Sequence, residues 1–177
     1  MKKPHLVFKG KVFGVSRDLS VEPGGVRATR EIVRHPGSAV VIVQDQQRRI
    51  LLIRQYRFAV RRKMWEVVAG RIDPGETPLE SARRELAEEV SLGAHRWTPL
   101  GAFHPSPGFV DEVMWLYLAR DLYPASAQAD KDERISKRWF PPAQVGRMIR
   151  RGLLQDAKSA LCYFLLQQRG LLGRQGG

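Results

Sequence analysis

Short runs of β-branched and other apolar residues predict most of the strands of this chain. SAVVIVQD (residues 38–45) and RILLIRQYR (49–57) are joined through a polar turn, a pattern typical of a hairpin with one buried side. MWEVVAG (64–70) predicts a further short strand. Three more strands are predicted later in the chain: WTPLGAF (97–103), DEVMWLYLA (111–119) and RISKRWF (134–140).

Three helices are predicted among these strands. The first begins after Thr77, because threonine is a common N-cap, Pro78 suits the first helical position and Glu80 completes a capping box. The other two helices are predicted over residues 141–151 and 156–169. Strands and helices that follow one another in this mixed order indicate an α/β fold.

No internal repeat or interior linker divides the chain. Residues 6–15 and 26–33 alternate loosely between apolar and polar positions on either side of the turn EPGG, which predicts a pair of N-terminal strands. We therefore expect N-terminal strands over residues 1–35, a main domain over 36–171 and a tail over 172–177.

Composition and charge describe a globular, basic protein. The 177 residues are 43% hydrophobic, and 30 Lys and Arg against 18 Asp and Glu give a formal net charge of +12. This excess attracts anions in general, from nucleotides to RNA. The single cysteine, Cys162, lies in an apolar helical run and predicts a buried free thiol in a reducing, cytosolic compartment. Two N-terminal lysines precede no apolar segment, which disfavours export and membrane insertion.

The first predicted helix concentrates acidic residues in this basic chain. Its segment, GRIDPGETPLESARRELAEEVSL (70–92), contains five glutamates and one aspartate. At 100° per residue, Glu85, Glu88 and Glu89 share one face, opposite an apolar stripe. A solvated charged face is the common explanation of such a helix. The spacing of the residues around it favours a different interpretation.

That spacing resembles the Nudix box. Gly70 is followed by five residues, Glu76, seven residues, Arg84-Glu85-Leu86, one residue and then Glu88-Glu89. The pattern departs from the family at Ser91, where the family has a glycine that suits the left-handed end of a helix. Gly93 is the alternative end of the helix in this sequence.

The resemblance implies an α/β/α sandwich with a mixed central sheet, preceded here by the N-terminal antiparallel strands. It also implies a loop–helix–loop motif whose glutamates hold divalent cations, with Mg²⁺ as the cofactor and Mn²⁺ as a substitute. Glu85 and Glu89 are the leading implied ligands, with Glu88 as a further one and the carbonyl of Ala69 completing the site. The implied structural positions of the motif are Gly70, Glu76 and Arg84, the last two as a salt bridge.

Segments outside the box resemble the ADP-ribose pyrophosphatase branch of the family. These segments are RQYRFAV (54–60), SPGF (106–109) and DAKS (156–159). The branch implies hydrolysis of ADP-ribose to AMP and ribose 5-phosphate, and a homodimer that exchanges N-terminal strands. GDP-mannose or an oxidised nucleotide remains an alternative substrate. A non-catalytic nucleotide- or RNA-binding module is the alternative from another class, although the intact glutamate set disfavours a nucleic-acid partner.

Four residues are candidates for substrate binding. Arg57 comes first, because a guanidinium suits bidentate contact with phosphate at the end of a strand directed at the box. Arg54 points to the opposite face of that strand if the alternation holds. Glu66 is either a ligand of the base or ribose or an exposed strand-edge charge. Arg30 is the fourth candidate, and its position matches the sequence pattern of the ADP-ribose pyrophosphatase branch only weakly.

Three glutamates are candidates for the general base. Relatives often place this base in an acidic loop before the last strand, which makes Glu133 the first candidate, although Lys131 occupies a position where an acid is frequent. Glu112, after SPGF, is the second candidate, and Glu88 in the box is the third.

Overall fold

The computed structural model describes residues 5–126 and 135–173. This described part contains ten strands: β1 (His5–Lys9), β2 (Gly14–Val21), β3 (Arg27–Arg34), β4 (Ser38–Gln44), β5 (Ile50–Arg57), β6 (Arg62–Glu66), β7 (Val68–Arg71), β8 (Leu92–Phe103), β9 (Met114–Pro124) and β10 (Ser136–Phe140). It also contains three α-helices, α1 (Pro78–Val90), α2 (Pro142–Arg150) and α3 (Ala157–Gln168), and a short 3₁₀ helix, Phe58–Val60.

The strands form two sheets. The smaller sheet is antiparallel and has the order β1-β2-β3. The larger sheet has the order β10-β5-β4-β9-β8, with β6 beside β5 and β7 beside β4. Because β4 and β9 run parallel while the other pairs are antiparallel, the larger sheet is mixed.

The central strand β4 is buried on both of its faces. Residues 39, 41 and 43 belong to one apolar cluster together with residues of α1. The alternate residues, Val40 and Ile42, belong to a second cluster together with residues of α2 and α3. Helices therefore cover both faces of a mixed sheet, which confirms the predicted α/β/α sandwich. The expectation of one buried side was wrong for this strand, because a strand covered by helices on both faces needs no polar face.

The predicted strand at residues 64–70 is divided in two. β6 pairs with β5 and β7 pairs with β4, and Val67 lies between them. The chain changes its partner here because β4 and β5 pair with each other only beside their connecting turn. The amide of Val67 donates instead to Oγ of Ser159 at 2.8 Å. The start of α3 is thus hydrogen-bonded to the sheet at this break.

The N-terminal segment forms three strands where two were predicted. Residues 6–15 contain both β1 and the start of β2, separated by a turn in which the amide of Gly10 donates to the carbonyl of Phe13 at 2.9 Å. The turn is hidden in the sequence because Val12 and Phe13 continue the apolar pattern. The small sheet is attached through β3 to the loop between β8 and β9, where the amide of Val33 donates to the carbonyl of Phe109 at 2.8 Å.

The ends of α1 follow from local chemistry. Thr77 and Glu80 form the predicted capping box, with Pro78 in the first turn. The helix ends at Val90, and Ser91 is its C-cap in the left-handed conformation, with φ 56° and ψ 42°. Gly93 does not end the helix. It lies in β8, where a Cβ atom would come within 2.3 Å of the Tyr123 ring.

Ser91→Gly is expected to raise the free energy of unfolding by about 1 kcal/mol, because glycine enters the left-handed region without the steric cost of a Cβ atom. Chemical denaturation of both proteins measures the difference. Ser91→Ala is the matched control, since it keeps the Cβ atom and should give no gain. Equal stabilities for the glycine and alanine variants would exclude backbone strain at this position.

Two further expectations concern the ends of the core. Cys162 is a buried free cysteine, as predicted, and burial raises the pKa of its thiol. Leu172, which the sequence assigned to the tail, is only 6% exposed and packs in the cluster beneath α2 and α3. Packing therefore continues at least to this residue.

Within residues 5–126 and 135–173, no helix is long and apolar enough to cross a membrane.

Candidate active site

A polar cavity of about 570 Å³ lies beside the acidic face of α1. That face contributes Glu85, Glu88 and Glu89 to its lining, while β7 contributes Ala69 and Gly70. The implied metal ligands therefore line a single pocket. Arg57, at the end of β5, lines the same pocket and adds a cation to the wall.

Gly70 makes room for one of these carboxylates. A Cβ atom built on Gly70 would lie 1.8 Å from Cδ of Glu85 and 1.9 Å from its Oε1. A side chain at residue 70 would force the end of the Glu85 side chain to move, so glycine is the residue that lets β7 approach the carboxylate in this position. The glycine that begins the box thus has a steric role in the pocket.

Arg84 connects the loop before α1 with the acidic face of the helix. Its Nε and Nη2 donate to the two carboxylate oxygens of Glu76 at 2.8 and 2.9 Å. Its Nη1 donates to Glu85 at 2.6 Å and to Glu88 at 2.9 Å. Nη2 also donates to the carbonyl of Arg71, the last residue of β7, at 2.9 Å. One guanidinium therefore offsets the repulsion among the glutamates of this motif.

The pKa values of this cluster follow from these bonds. The hydrogen bonds from Arg84 lower the pKa of Glu76 below its ordinary value, and the bonds to Glu76, followed by those to Glu85, raise the pKa of Arg84. The loop and helix are thus joined by groups that stay charged over the whole physiological pH range.

The donor set suits a divalent cation. Carboxylate and backbone carbonyl oxygens are the hard ligands that Mg²⁺ and Mn²⁺ accept, usually together with water and substrate phosphate. Among the described residues, no three acidic, histidine or cysteine side chains converge into a ready-made cation cage. Two of the three glutamates are turned toward Arg84 in this conformation. A cation would therefore compete with Arg84 for Glu85 and Glu88.

A second ionic cluster lies behind Arg57. Its Nε and Nη2 donate to the two carboxylate oxygens of Glu66, both at 2.7 Å. Lys158 donates from Nζ to Oε2 of Glu66 at 2.6 Å and to Oδ1 of Asp156 at 2.8 Å. The side chain of Glu66 is only 2% exposed. Its interpretation as an exposed strand-edge charge was wrong, because β6 turns this residue inward under α3.

Hydrogen bonds keep Glu66 ionised in spite of its burial. Burial alone raises the pKa of this carboxyl group, but the bonds from Arg57 and Lys158 outweigh it, so the pKa lies below its ordinary value. The same bond to Glu66 raises the pKa of Arg57. Glu66 and Arg57 are therefore both charged at neutral pH.

The structure does not bring the other two basic candidates to the pocket. Arg54 is exposed, and its guanidinium lies over the ring of Trp65, 5.6 Å from the centroid. This position follows from the alternation along β5. Arg30 pairs with Glu22 at 2.5 Å and lines a different cleft, between the small sheet and the loop around Pro107. Within one chain, therefore, neither Arg54 nor Arg30 lines the pocket that contains the acidic face of α1.

The three candidates for the general base lie in different places. Glu88 lines the pocket. Glu112 does not line it, and its Oε1 accepts a hydrogen bond of 2.6 Å from Ser38, with His35 3.8 Å away. Glu133 lies outside the residues that the structure describes.

Several pocket residues were not predicted from the sequence. Val12 reaches the pocket from the turn between β1 and β2, Arg71 lines it from the end of β7, and Asp73 lines it from the loop that follows. Arg71 also donates to the carbonyl of Lys11 at 2.8 Å. The position of Arg71 next to Gly70 was a usable signal, whereas nothing in the sequence pattern marked Val12.

Comparisons with known proteins agree with this geometry. The NUDIX domain matches residues 33–163. The chain is 33% identical to the ADP-ribose pyrophosphatase of Bacillus subtilis over 175 residues, 96% of this chain and 92% of that protein. It is 38% identical to the ADP-ribose pyrophosphatase of Mycobacterium tuberculosis over 146 residues, 81% of this chain and 70% of that protein. A crystal structure of an ADP compounds hydrolase matches with a TM-score of 0.78 and 27% identity, covering 97% of this chain and 98% of that one.

A mixed sheet between helices and an acidic helix facing the strand that contains Gly70 define a Nudix fold, and the chain belongs to the Nudix family. Nudix hydrolases in general use divalent metal ions. The donors that line the pocket between α1 and β7 fit such an ion.

Proposed function

We propose that this chain is a Mg²⁺-dependent pyrophosphohydrolase that cleaves ADP-ribose, or a related nucleoside diphosphate sugar, into a nucleoside monophosphate and a sugar phosphate. The observation that carries the proposal is the single pocket lined by Glu85, Glu88 and Glu89 together with Arg57. Two relatives that align with most of the chain are ADP-ribose pyrophosphatases, which supports this choice of substrate.

Glu85, Glu89 and the carbonyl of Ala69 would hold the cation, with Glu88 as a further ligand. A bound divalent cation supplies Lewis-acid polarisation of the diphosphate and lowers the pKa of water. Arg57 binds a phosphate oxygen, because its guanidinium lines the pocket and stays charged. Glu76 and Arg84 keep the loop of the box against the helix.

The general base takes a proton from the attacking water. Glu133 remains our first candidate, and Glu88 is the alternative inside the pocket. Glu112 ranks below both, because its carboxylate is bonded to Ser38 outside the pocket. The pH dependence of kcat in Glu133→Gln and Glu88→Gln separates the first two, since only loss of the true base removes the acidic limb of the profile.

We assign residues 1–35 to a dimerisation appendage of a cytoplasmic homodimer. All five residues of β1 are exposed, and the apolar side chains of Leu6 and Phe8 are 45% and 52% exposed. Apolar surface of this kind is typical of an interface. Light scattering coupled to size-exclusion chromatography should give twice the mass of the chain, and a mass of one chain at micromolar concentration would contradict the assignment.

The activity is tested with a panel of diphosphates. Release of AMP from ADP-ribose is expected with Mg²⁺ and with Mn²⁺, but not in EDTA. GDP-mannose and 8-oxo-dGTP serve as the competing substrates, ranked by kcat/KM. A higher kcat/KM for either competitor would overturn the substrate assignment. No hydrolysis of any diphosphate, together with salt-sensitive RNA binding, would favour a binding module instead.

A further inference from the structure

The second ionic cluster contains a residue for which the proposed reaction has no assigned role. Lys158 lies in the first turn of α3, and its side chain is 16% exposed. It lies between Glu66 and Asp156, at 2.6 and 2.8 Å. Lys158 itself does not line the pocket, so any effect on substrate has to pass through a neighbouring residue.

We propose that Lys158 is a positioning residue, which fixes the Glu66 carboxylate and, through it, the guanidinium of Arg57 in the pocket. The proposal rests on the proposed function for its substrate. It assigns Glu66 to the support of Arg57 rather than to direct contact with the base or ribose. Both carboxylate oxygens of Glu66 are used in this way, one by Arg57 alone and the other by Arg57 and Lys158.

Charge balance explains why a second cation is needed. A lone Arg57–Glu66 pair is neutral and would present little net charge to a phosphate. With Lys158 included, two cations share the one carboxylate of Glu66, so Glu66 neutralises Arg57 less completely. Asp156 makes the four-residue cluster neutral overall, but its carboxylate is bonded to Lys158, whereas Arg57 is the member of the cluster that lines the pocket. Arg57 therefore remains an effective phosphate ligand while its orientation is fixed.

The cluster is also anchored rigidly to the fold. Asp156 is the N-cap of α3 and accepts from the amide of Ser159 at 3.0 Å. Oγ of Ser159 donates to Asp156 and accepts from the amide of Val67 at 2.8 Å. Val67 lies at the strand break, two residues before Ala69. The helix, the break and the phosphate-binding arginine are thus joined in one chain of contacts.

A purely structural salt bridge is the competing explanation. Buried ion pairs often add little stability, because desolvation offsets their attraction, so packing alone is a weak reason for this cluster. The two explanations differ in what they change. A structural bridge affects folding, whereas a positioning residue affects the binding of phosphate by the folded enzyme.

The test compares Lys158→Met with Lys158→Arg in the full chain, using ADP-ribose and Mg²⁺. In folded Lys158→Met we expect KM to rise about tenfold with kcat changed less than about twofold, because a displaced phosphate ligand weakens binding. Lys158→Arg keeps the charge and the donors and should return KM to within about threefold of the wild type. The matched control is Lys63→Met, an exposed lysine of β6.

A double-mutant cycle shows whether the effect passes through Arg57. Arg57→Ala with Lys158→Met should have the same KM as Arg57→Ala alone, since the positioned group is already absent. Independent, multiplying effects on KM would overturn the proposal. So would a Lys158→Met protein with a lowered Tm and an unchanged KM.

One readout does not depend on the reaction. Phenylglyoxal modifies exposed arginines, and the Arg57 side chain is 41% exposed. Its modification, followed by peptide mass spectrometry, should be several-fold faster in Lys158→Met and unchanged in Lys158→Arg and Lys63→Met. Equal rates in all four proteins would overturn the positioning role. If the wild type hydrolyses no diphosphate, the proposed function fails, while these rates still decide the role of Lys158.

Discussion

Glu89→Gln is expected to lower the rate of ADP-ribose hydrolysis by at least about 100-fold, which corresponds to about 3 kcal/mol of transition-state stabilisation. The substitution keeps the size of the side chain and removes the charge that a divalent cation needs. Two measurements check it: AMP release at saturating Mg²⁺, and calorimetric titration with Mn²⁺, whose affinity should fall together with the rate.

Glu80→Gln is the matched control for this result. Glu80 lies in the first turn of the same helix, outside the pocket, and glutamine also completes a capping box. The control should keep both the rate and the Mn²⁺ affinity. Hydrolysis by Glu89→Gln at the wild-type rate would show that the acidic face of α1 is not the metal site.

Gly70→Ala is expected to disturb the site more than the fold. The added methyl group would lie 1.8 Å from Cδ of Glu85, so β7 or the Glu85 side chain has to move. Because only the end of a flexible side chain is in the way, the loss of stability should lie at the low end of the roughly 1–3 kcal/mol that overpacking costs. Because the displaced group is a metal ligand in the proposed site, the rate should also fall by at least about tenfold in the fraction that remains folded.

Urea denaturation and AMP release measure the two effects separately. Gly108→Ala is the control, since a Cβ atom at Gly108 would meet nothing within 4 Å. It should change neither quantity. A Gly70→Ala protein with wild-type stability and rate would mean that the close approach of β7 to Glu85 is unnecessary.

Local sequence signals were sufficient for most elements of the fold. Thr77, Pro78 and Glu80 predicted the start of α1, because a capping box involves only residues within one turn. The strand break at Val67 was missed, since it depends on which strand lies beside each half of the segment. The turn after β1 was missed because apolar residues continue through it.

The site was predictable where its residues are close together in the sequence. The spacing from Gly70 to Glu89 was enough to name the acidic face, since helical periodicity alone brings Glu85, Glu88 and Glu89 to one side. The same spacing was enough to recognise Ser91 as a departure from the family pattern. The left-handed backbone at Ser91 shows that the helix ends there without the glycine.

The sequence by itself determined the acidic helix, its cap, the family pattern and the alternation that separates Arg54 from Arg57. Only the tertiary structure decided that Glu66 is buried and that Lys158, 92 residues later, shares its carboxylate. Periodicity reports which face of an element a residue occupies, but it contains no information on which distant element covers that face. The partners of a buried charge depend on that packing, so the partner of Glu66 follows from the way α3 packs against the sheet.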